Sequence, residues 1–251
     1  MKHLLLVLAL LPFAACAAPN LEVTPHFGSS KLSGDFAVAA GSVSATTGID
    51  DIGLDGSEST PGVRIDAKWG SPHLSVSVEQ TKYSGSGATT VNLSQGSTTI
   101  PAGTDVESDL DLTYGNALIT FDFLPTDMFE LGIGLGVEAA KLDTEIKATT
   151  LGQSISTDES VPIPVIAARA GLNLGAFSID GTIAAIKIDY SGDNLEFYDL
   201  DLRARWAAFE HAHFLVGYRR WDVNLDYEDG SDNVKLDVVS AGPYFGVAIA
   251  F

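Results

Sequence analysis

Apolar and polar residues alternate with a period of two along most of this chain, which predicts strands rather than helices. Phe129, Leu131, Ile133, Leu135 and Val137 share one face, and Glu130, Gly132, Gly134, Gly136 and Glu138 share the other. Val63, Ile65, Ala67 and Trp69 oppose Arg64, Asp66 and Lys68, while Leu74, Val76 and Val78 oppose Ser75, Ser77 and Glu79. Leu200, Leu202, Ala204 and Trp206 oppose Asp199, Asp201, Arg203 and Arg205. Trp221, Val223 and Leu225 oppose Arg220, Asp222, Asn224 and Asp226. The whole pattern predicts ten strands, at about 32–46, 61–70, 73–84, 106–123, 128–146, 161–174, 177–190, 196–208, 213–228 and 234–251. The count falls to eight if the first segments stand outside the sheet, and rises to twelve if 91–100 forms another hairpin. Arg219 falls on an apolar face, which a bulge near Gly217 or snorkelling would accommodate.

The connections alternate in character. Segments 47–60, 85–105, 147–160, 191–195 and 229–233 are long or acidic, with Asp50, Asp51, Asp55, Glu58, Asp229 and Asp232 among them. The others are tight: Ser71-Pro72, Pro125-Thr126-Asp127, Gly175-Ala176 and Glu210-His211-Ala212. Long loops at one end and tight turns at the other are what transmembrane barrels show. A soluble sandwich alternates too, with its charged face in water. In a membrane barrel the sense inverts, so that apolar residues face lipid and charges fill the lumen. Trp69, Phe121, Phe123, Phe129, Phe177, Trp206, Phe209, Phe214 and Phe251 gather near the tight turns, as in an interfacial aromatic girdle.

The two ends of the chain bear on this choice. Met1-Lys2-His3, the apolar run Leu4 to Leu11 and the small residues that follow predict a secretory signal peptide over 1–17, cut after Ala17, with 18–251 as one barrel domain. In a rival reading Phe13-Ala14-Ala15-Cys16 is a lipoprotein box and Cys16 is lipidated. Cys16 is the only cysteine, so a mature chain without it has no disulfide or thiolate metal site. At the other end, Phe245, Val247, Ile249 and Phe251 alternate with Tyr244, Gly246, Ala248 and Ala250. A terminal aromatic on such a strand resembles the C-terminal signal that barrel-assembly machinery recognises in bacterial outer-membrane proteins.

Charge and hydropathy narrow the function classes. Lys and Arg number 14 against 33 Asp and Glu, a formal net charge of −19, which disfavours nucleic acid as a partner. Hydrophobic residues make up 45% of the chain, too many for a disordered acidic segment. Beyond the leader no uncharged stretch reaches the roughly 18 residues of a membrane helix. A membrane-spanning mature chain must therefore be a closed barrel.

The candidate functional residues are the charges expected inside. Arg64, Lys68, Arg169, Arg203, Arg205 and Arg220 can meet Asp66, Glu79, Glu130, Glu138, Asp199, Asp201 and Asp222 in a luminal network. Paired, they would fill the lumen. The alternative is a narrow pore for ions or small solutes, with Gly132, Gly134 and Gly136 leaving space and the Arg203/Asp201 and Arg220/Asp222 clusters gating it. A lipid-active enzyme would need a histidine near a serine or an acid. His73, His211 and His213 fall at expected tight turns and His26 precedes the first expected strand, so no catalytic residue is assigned. His211 and His213 with Glu210 could bind a metal but read better as a solvated turn, and no metal or cofactor is expected. The acidic loops read as solvated surface rather than as cation sites.

Gly217-Tyr218-Arg219, the acidic hairpin Asp226 to Asp232, and Gly242-Pro243-Tyr244-Phe245-Gly246 before Phe251 resemble a family of small proteobacterial outer-membrane barrels without assigned activity. More distantly the chain looks like the small barrels typified by outer membrane proteins A, W and X. The resemblance is clear over about 105–251 and weak over 19–104. It implies an all-β, single antiparallel transmembrane barrel, exported through the periplasm to the Gram-negative outer membrane. Its partners would be outer-membrane lipid, lipopolysaccharide and the assembly machinery. The expected role is structural or passive, with a largely filled lumen.

Overall fold

The computed structural model describes residues 20–40, 46–95, 98–124, 126, 128–190, 193–229 and 232–251. The expected signal peptide with Cys16, and Pro125 and Asp127 of one expected turn, lie outside the described residues.

Alternation and β-branched content become strands as expected: β1 (Asn20–Ala40), β2 (Thr46–Gly48), β3 (Ser57–Lys68), β4 (Pro72–Ala88), β5 (Leu93–Gln95), β6 (Thr98–Ile100), β7 (Asp105–Asp122), β8 (Phe129–Ala148), β9 (Gln153–Asn173), β10 (Phe177–Tyr190), β11 (Asp193–Trp206), β12 (Ala212–Asp229) and β13 (Asp232–Ala250). The wall runs β13-β12-β11-β10-β9-β8-β7-β4-β3-β1, and β13 pairs back onto β1, closing a ten-stranded antiparallel barrel. The hairpin expected near 91–100 exists as β5–β6, but as a separate two-stranded sheet, so the wall keeps ten strands.

The first wall strand starts at Asn20 rather than near 32. Leu21, Val23, Pro25 and Phe27 alternate with Glu22, Thr24, His26 and Gly28, but Pro25 and Gly28 are poor strand formers and mask the pattern. The tight turns fall at one end of the barrel, the turn end. Gly70 and Gly175 sit there with φ of 72° and 78°, a conformation that a side chain would resist. The opposite, loop end carries two long connections, β1–β3 and β4–β7, but β8–β9, β10–β11 and β12–β13 are joined there by only four, two and two residues, because β9 begins at Gln153 and takes up most of the loop expected over 147–160.

The two faces of the wall exchange character part-way up. On β8, Phe129, Leu131, Ile133, Leu135 and Val137 point outward, and Leu135 is 64% exposed. Past Ala139 and Ala140 the outward positions are Lys141, Asp143, Glu145 and Lys147, while Leu142, Ile146 and Ala148 point inward. On β7, outward Ala117, Ile119 and Phe121 give way to Asp111, Asp109 and Glu107. Its inward side changes from Asp122, Thr120 and Asn116 to Leu112, Leu110 and Val106. On β12, outward Phe214, Val216 and Tyr218 are followed by Arg220 and Asp222, and inward Arg219 by Trp221 and Val223. The turn half is therefore greasy outside and polar inside, and the loop half is the reverse.

The core accordingly sits inside the loop half. Leu32, Tyr83, Leu110, Leu112, Phe197, Trp221, Val223 and Val238 enter it from the wall. The β1–β3 connection folds in over them: Ile49, Ile52 and Leu54 are fully buried in the same cluster, and Leu93 and Ile100 of the β5–β6 hairpin complete the cap. Asp51 fixes this connection, accepting from the Gly48 N–H (3.0 Å) and the Thr90 hydroxyl (3.1 Å), while its carbonyl accepts from Ala88 (2.9 Å). Gly53, at φ 76°, lies against the Ser86 backbone where no Cβ fits. Asp51 thus has a structural part in a loop expected to be merely solvated.

If the cap is core, Ile52→Ala leaves a cavity worth about 2–5 kcal/mol. Urea unfolding of the folded barrel should show that loss, whereas Asp55→Ala, in the same connection but half-exposed and only loosely paired with Lys31 (3.7 Å), should change stability by less than about 0.5 kcal/mol.

Candidate functional site

Alternation on neighbouring strands stacks the inward charges of the turn half into two layers. In the layer nearer the turn end, β3, β10 and β11 converge. Arg64 pairs with Asp66 (2.9 Å) and with Asp201, and Arg203 pairs with Asp66 (3.2 Å) and Asp180. Arg205 reaches Glu22 (2.8 Å) and Asp180 (3.2 Å), His73 lies 3.0 Å from Asp66, and the Tyr244 hydroxyl donates to Asp201 (2.5 Å). Beside them Lys68 meets Asp122 (3.1 Å) and Glu130 (2.5 Å), and Arg169 meets the same two carboxylates at 3.4 and 2.5 Å.

The second layer is built around Arg219. Its guanidinium forks onto Asp199 (2.6 and 3.1 Å), donates to Glu79 (2.7 Å) and lies 4.8 Å from the centre of the Tyr114 ring. Tyr114 donates to Glu79, and Asn116 bridges Glu138 (3.2 Å) and Asp199 (3.4 Å). His26 lies 3.2 Å from Glu79, with its ring 5.1 Å from that of Tyr244. Above this layer Ser30, Thr60, Thr81, Tyr83 and Ser240 join in a buried hydroxyl cluster, and above that the apolar core begins.

Of the expected luminal residues, Arg64, Asp66, Lys68, Glu79, Glu130, Glu138, Arg169, Asp199, Asp201, Arg203 and Arg205 all point into the lumen. Arg220 and Asp222 do not. They face outward, paired with one another at 2.7 Å, and Arg219 takes the luminal place. The expectation carried the turn-half sidedness into the loop half, where it has already reversed. Neither a bulge nor snorkelling is needed: the β11–β12 register is unbroken from Asn194 to Trp206.

Sequence reasoning also missed Glu22, Asp122, Asp180, His26 and His73 as members. His26 was placed before the first strand, yet it lies in β1, and His73 points inward from β4 instead of standing at a solvated turn. Asp122 and Asp180 could have been found by alternation with Thr120 and Thr182. Gly132, Gly134 and Gly136 do not open space. Cβ atoms there would meet the Asp122 carboxylate, the Ile119 carbonyl and Leu118, so their absence lets β7 and β8 approach closely.

Ionised groups in a lumen persist because each carboxylate has a cation or hydrogen bond to replace lost water. The arrangement fills the cross-section. Gaps of about 10 Å³ remain beside Arg219 and Tyr244, against a larger recess of about 190 Å³ open at the turn end and lined by Glu22, Lys68, Glu130, Arg169, Asp180 and Arg205. His211 is exposed in its turn, and His213 lies 3.3 Å from Glu22. No group of three or more His, Cys, Asp or Glu able to hold a metal occurs among the described residues.

No protein-family model and no curated protein matches the chain. Among solved structures it is similar to Neisserial surface protein A, with 13% identity, 92% of this chain and 97% of that one covered, and a TM-score of 0.37. It is similar to the translocator domain of the autotransporter NalP from Neisseria meningitidis, with 16% identity, coverage of 94% and 90%, and a TM-score of 0.41. It is also similar to the P. putida toluene transporter TodX, with 7% identity, coverage of 94% and 91%, and a TM-score of 0.32. At these identities and scores the likenesses carry no argument about what this chain binds or does.

Arg203→Ala removes one of two guanidinium partners from each of Asp66 and Asp180, leaving only Arg64 and Arg205 to hold them, and should cost about 3–5 kcal/mol. Arg220→Ala, at a half-exposed outward pair, should cost no more than about 1 kcal/mol. Paired urea titrations of the refolded barrels separate the two roles.

Proposed function

We propose that this chain is an integral outer-membrane barrel with a closed lumen and a structural, non-catalytic role. The observation that carries the reading is the exchange of sidedness up the wall. The outward apolar belt on β8 runs from Phe129 to Ala139, a length that suits the roughly 9–11 residues a tilted strand needs to cross a bilayer. Above it the exterior turns charged and the interior turns apolar, as expected of a barrel whose loop half stands in water. Phe177, Trp206 and Phe214 stack in a row at the turn end, with ring centres 6.4 and 6.0 Å apart, which suits a membrane–water interface.

The belt is the surface for membrane lipid. Above it Lys82, Lys141 and Lys147 pair with Asp111, Asp158 and Glu145 at 2.7, 3.3 and 2.9 Å, a charged row suited to the water and lipopolysaccharide headgroup region above the bilayer. Phe245, Val247, Ile249 and Phe251 all face outward, and the Phe251 N–H donates to the Leu21 carbonyl (2.9 Å) at the closing seam. That placement suits a strand recognised during assembly and then locked against β1. Conduction would require both the charged layers and the apolar cap to open, which favours the closed reading over a channel.

The refolded protein should show a heat-modifiable gel shift and carry no steady current in planar bilayers. A sustained ion-selective current would replace this reading with a channel, and no shift would remove the membrane assignment. Leu135→Arg on the belt should destabilise the vesicle-embedded barrel by about 2–4 kcal/mol. An unchanged urea midpoint there would mean that the belt does not meet lipid.

A further inference from the structure

Two neighbouring strands of the wall stop pairing part-way up. β9 and β10 are joined from Ser178–Asn173 to Ala185–Ile166, and among the described residues their ladder ends there. Both strands continue, β9 down in number to Gln153 and β10 up to Tyr190, each still paired on its other side. The next rungs would have set Pro164 against Lys187 and Pro162 against Asp189.

The prolines explain the gap. Asn173 donates its N–H to the Met128 carbonyl (2.8 Å), toward β8. The β8–β9 register is unbroken from Leu172 to Gln153, so every odd position of β9 donates toward β8 and every even one toward β10. Pro162 and Pro164 therefore lack their donors on the β10 side, where the next bonds were needed. Further up, the Gln95 side chain clasps this same edge. Its Nε2 donates to the Ser156 carbonyl (2.7 Å), and its Oε1 accepts from the Ser156 N–H (3.2 Å). The result is a window in the wall, bounded by the Ala185–Ile166 rung on one side and the Gln95–Ser156 clasp on the other.

The window is apolar behind and sits at the rim of the belt. Pro164 and Pro162 face Val137 and Ala139 across β8, the last apolar outward positions of that strand. Ile163 and Val165 point inward into the core of the loop half, and Ile186 and Leu195 pack on it. Ile188 has the inward parity of fully buried Ala184 yet is 42% exposed, because the wall opposite it is missing. Outside, Lys187 is paired with Glu196 of β11 (2.9 Å), on the side of β10 away from the opening, so the gap itself is left lined by apolar groups.

We infer that this window is a lateral port that receives an acyl chain of a membrane lipid. The chain would lie against Ile188, Ile186 and Val165, with its headgroup left outside at the rim of the belt. Prolines at the edge suit that use: they keep the seam unzipped and deny the edge to a second protein strand. A small apolar chain needs no backbone partner, so it is the occupant that such an edge still admits.

The inference rests on the membrane reading above, and the test keeps the two apart. A benzophenone amino acid would replace Ile188 in one protein and outward, belt-facing Ile166 in another, each refolded into phosphatidylcholine vesicles, irradiated and weighed for lipid adducts. Both comparisons are repeated in Pro162→Val/Pro164→Val, which restores the donors. Lipid adducts at both positions, with loss of those at 188 in the proline variant, are the expected result. Adducts at 166 without adducts at 188 overturn the port and leave the membrane reading standing. Equal labelling of 188 with and without the prolines also overturns it, since the window would then be irrelevant to entry. No adduct at either position overturns both. Should the double variant fail to give a heat-modifiable band, Pro164→Val alone restores the first missing rung and is read in the same way.

Discussion

A closed sheet has two faces, and a side chain on one cannot reach the other. In the membrane reading proposed above, most wall strands, such as the 20 residues of β8, outrun the roughly 9–11 residues that cross a bilayer, so each must satisfy lipid over one stretch and water over the next without changing its backbone. The only device available is to exchange which face carries apolar residues. That exchange, near Ala139 on β8 and between Tyr218 and Arg220 on β12, organises everything else. It puts charges inside where the wall must be greasy outside, and it leaves room for an apolar core only above that level.

The charged layers and the apolar cap are consequently different solutions to one packing requirement. In the turn half the lumen is filled by groups that are costly to bury singly and tolerable only as a mutually paired set. Arg203 and Arg219 each hold two carboxylates, so no member is independent of the rest. In the loop half, burial of Ile49, Ile52 and Leu54 supplies the ordinary hydrophobic driving force, at about 1.5–3 kcal/mol for each side chain fully removed from water. The buried hydroxyls of Ser30, Thr60, Thr81, Tyr83 and Ser240 form the boundary between the two regimes.

Most of the wall was legible in the sequence because strand alternation is a local signal. Strands β7, β8 and β10 to β13 could be read from it directly, and eleven-residue runs such as Phe129–Ala139 gave their sidedness too, whereas β9 begins at Gln153, eight residues before the expected 161, because its polar start Gln153 to Ser160 reads as a loop. What could not be read locally was the point of exchange. On β12, Trp221, Val223 and Leu225 look like a lipid face, and only their partners Phe197 and Tyr114, at 5.8 and 6.1 Å from Trp221, show that they look inward. The same error displaced Arg219 and promoted Arg220 and Asp222. His26 was lost because Pro25 and Gly28 disguise β1, and the cap was invisible because Ile49, Ile52 and Leu54 are scattered among glycines and aspartates. Only contacts distant in sequence reveal them as core.

Because Ile49, Ile52 and Leu54 are core rather than surface, the loops of this barrel are not equally free to change. The β1–β3 connection holds a turn tied by Asp51 and apolar side chains seated against β4 and β7, so substitution there is constrained as it would be in any protein interior. The β8–β9 connection at 149–152 is a short exposed turn ending in Gly152 at φ 62°. Epitope tags, fluorophores and sequence drift under selection should concentrate in the second and avoid the first, although both stand at the same end of the molecule.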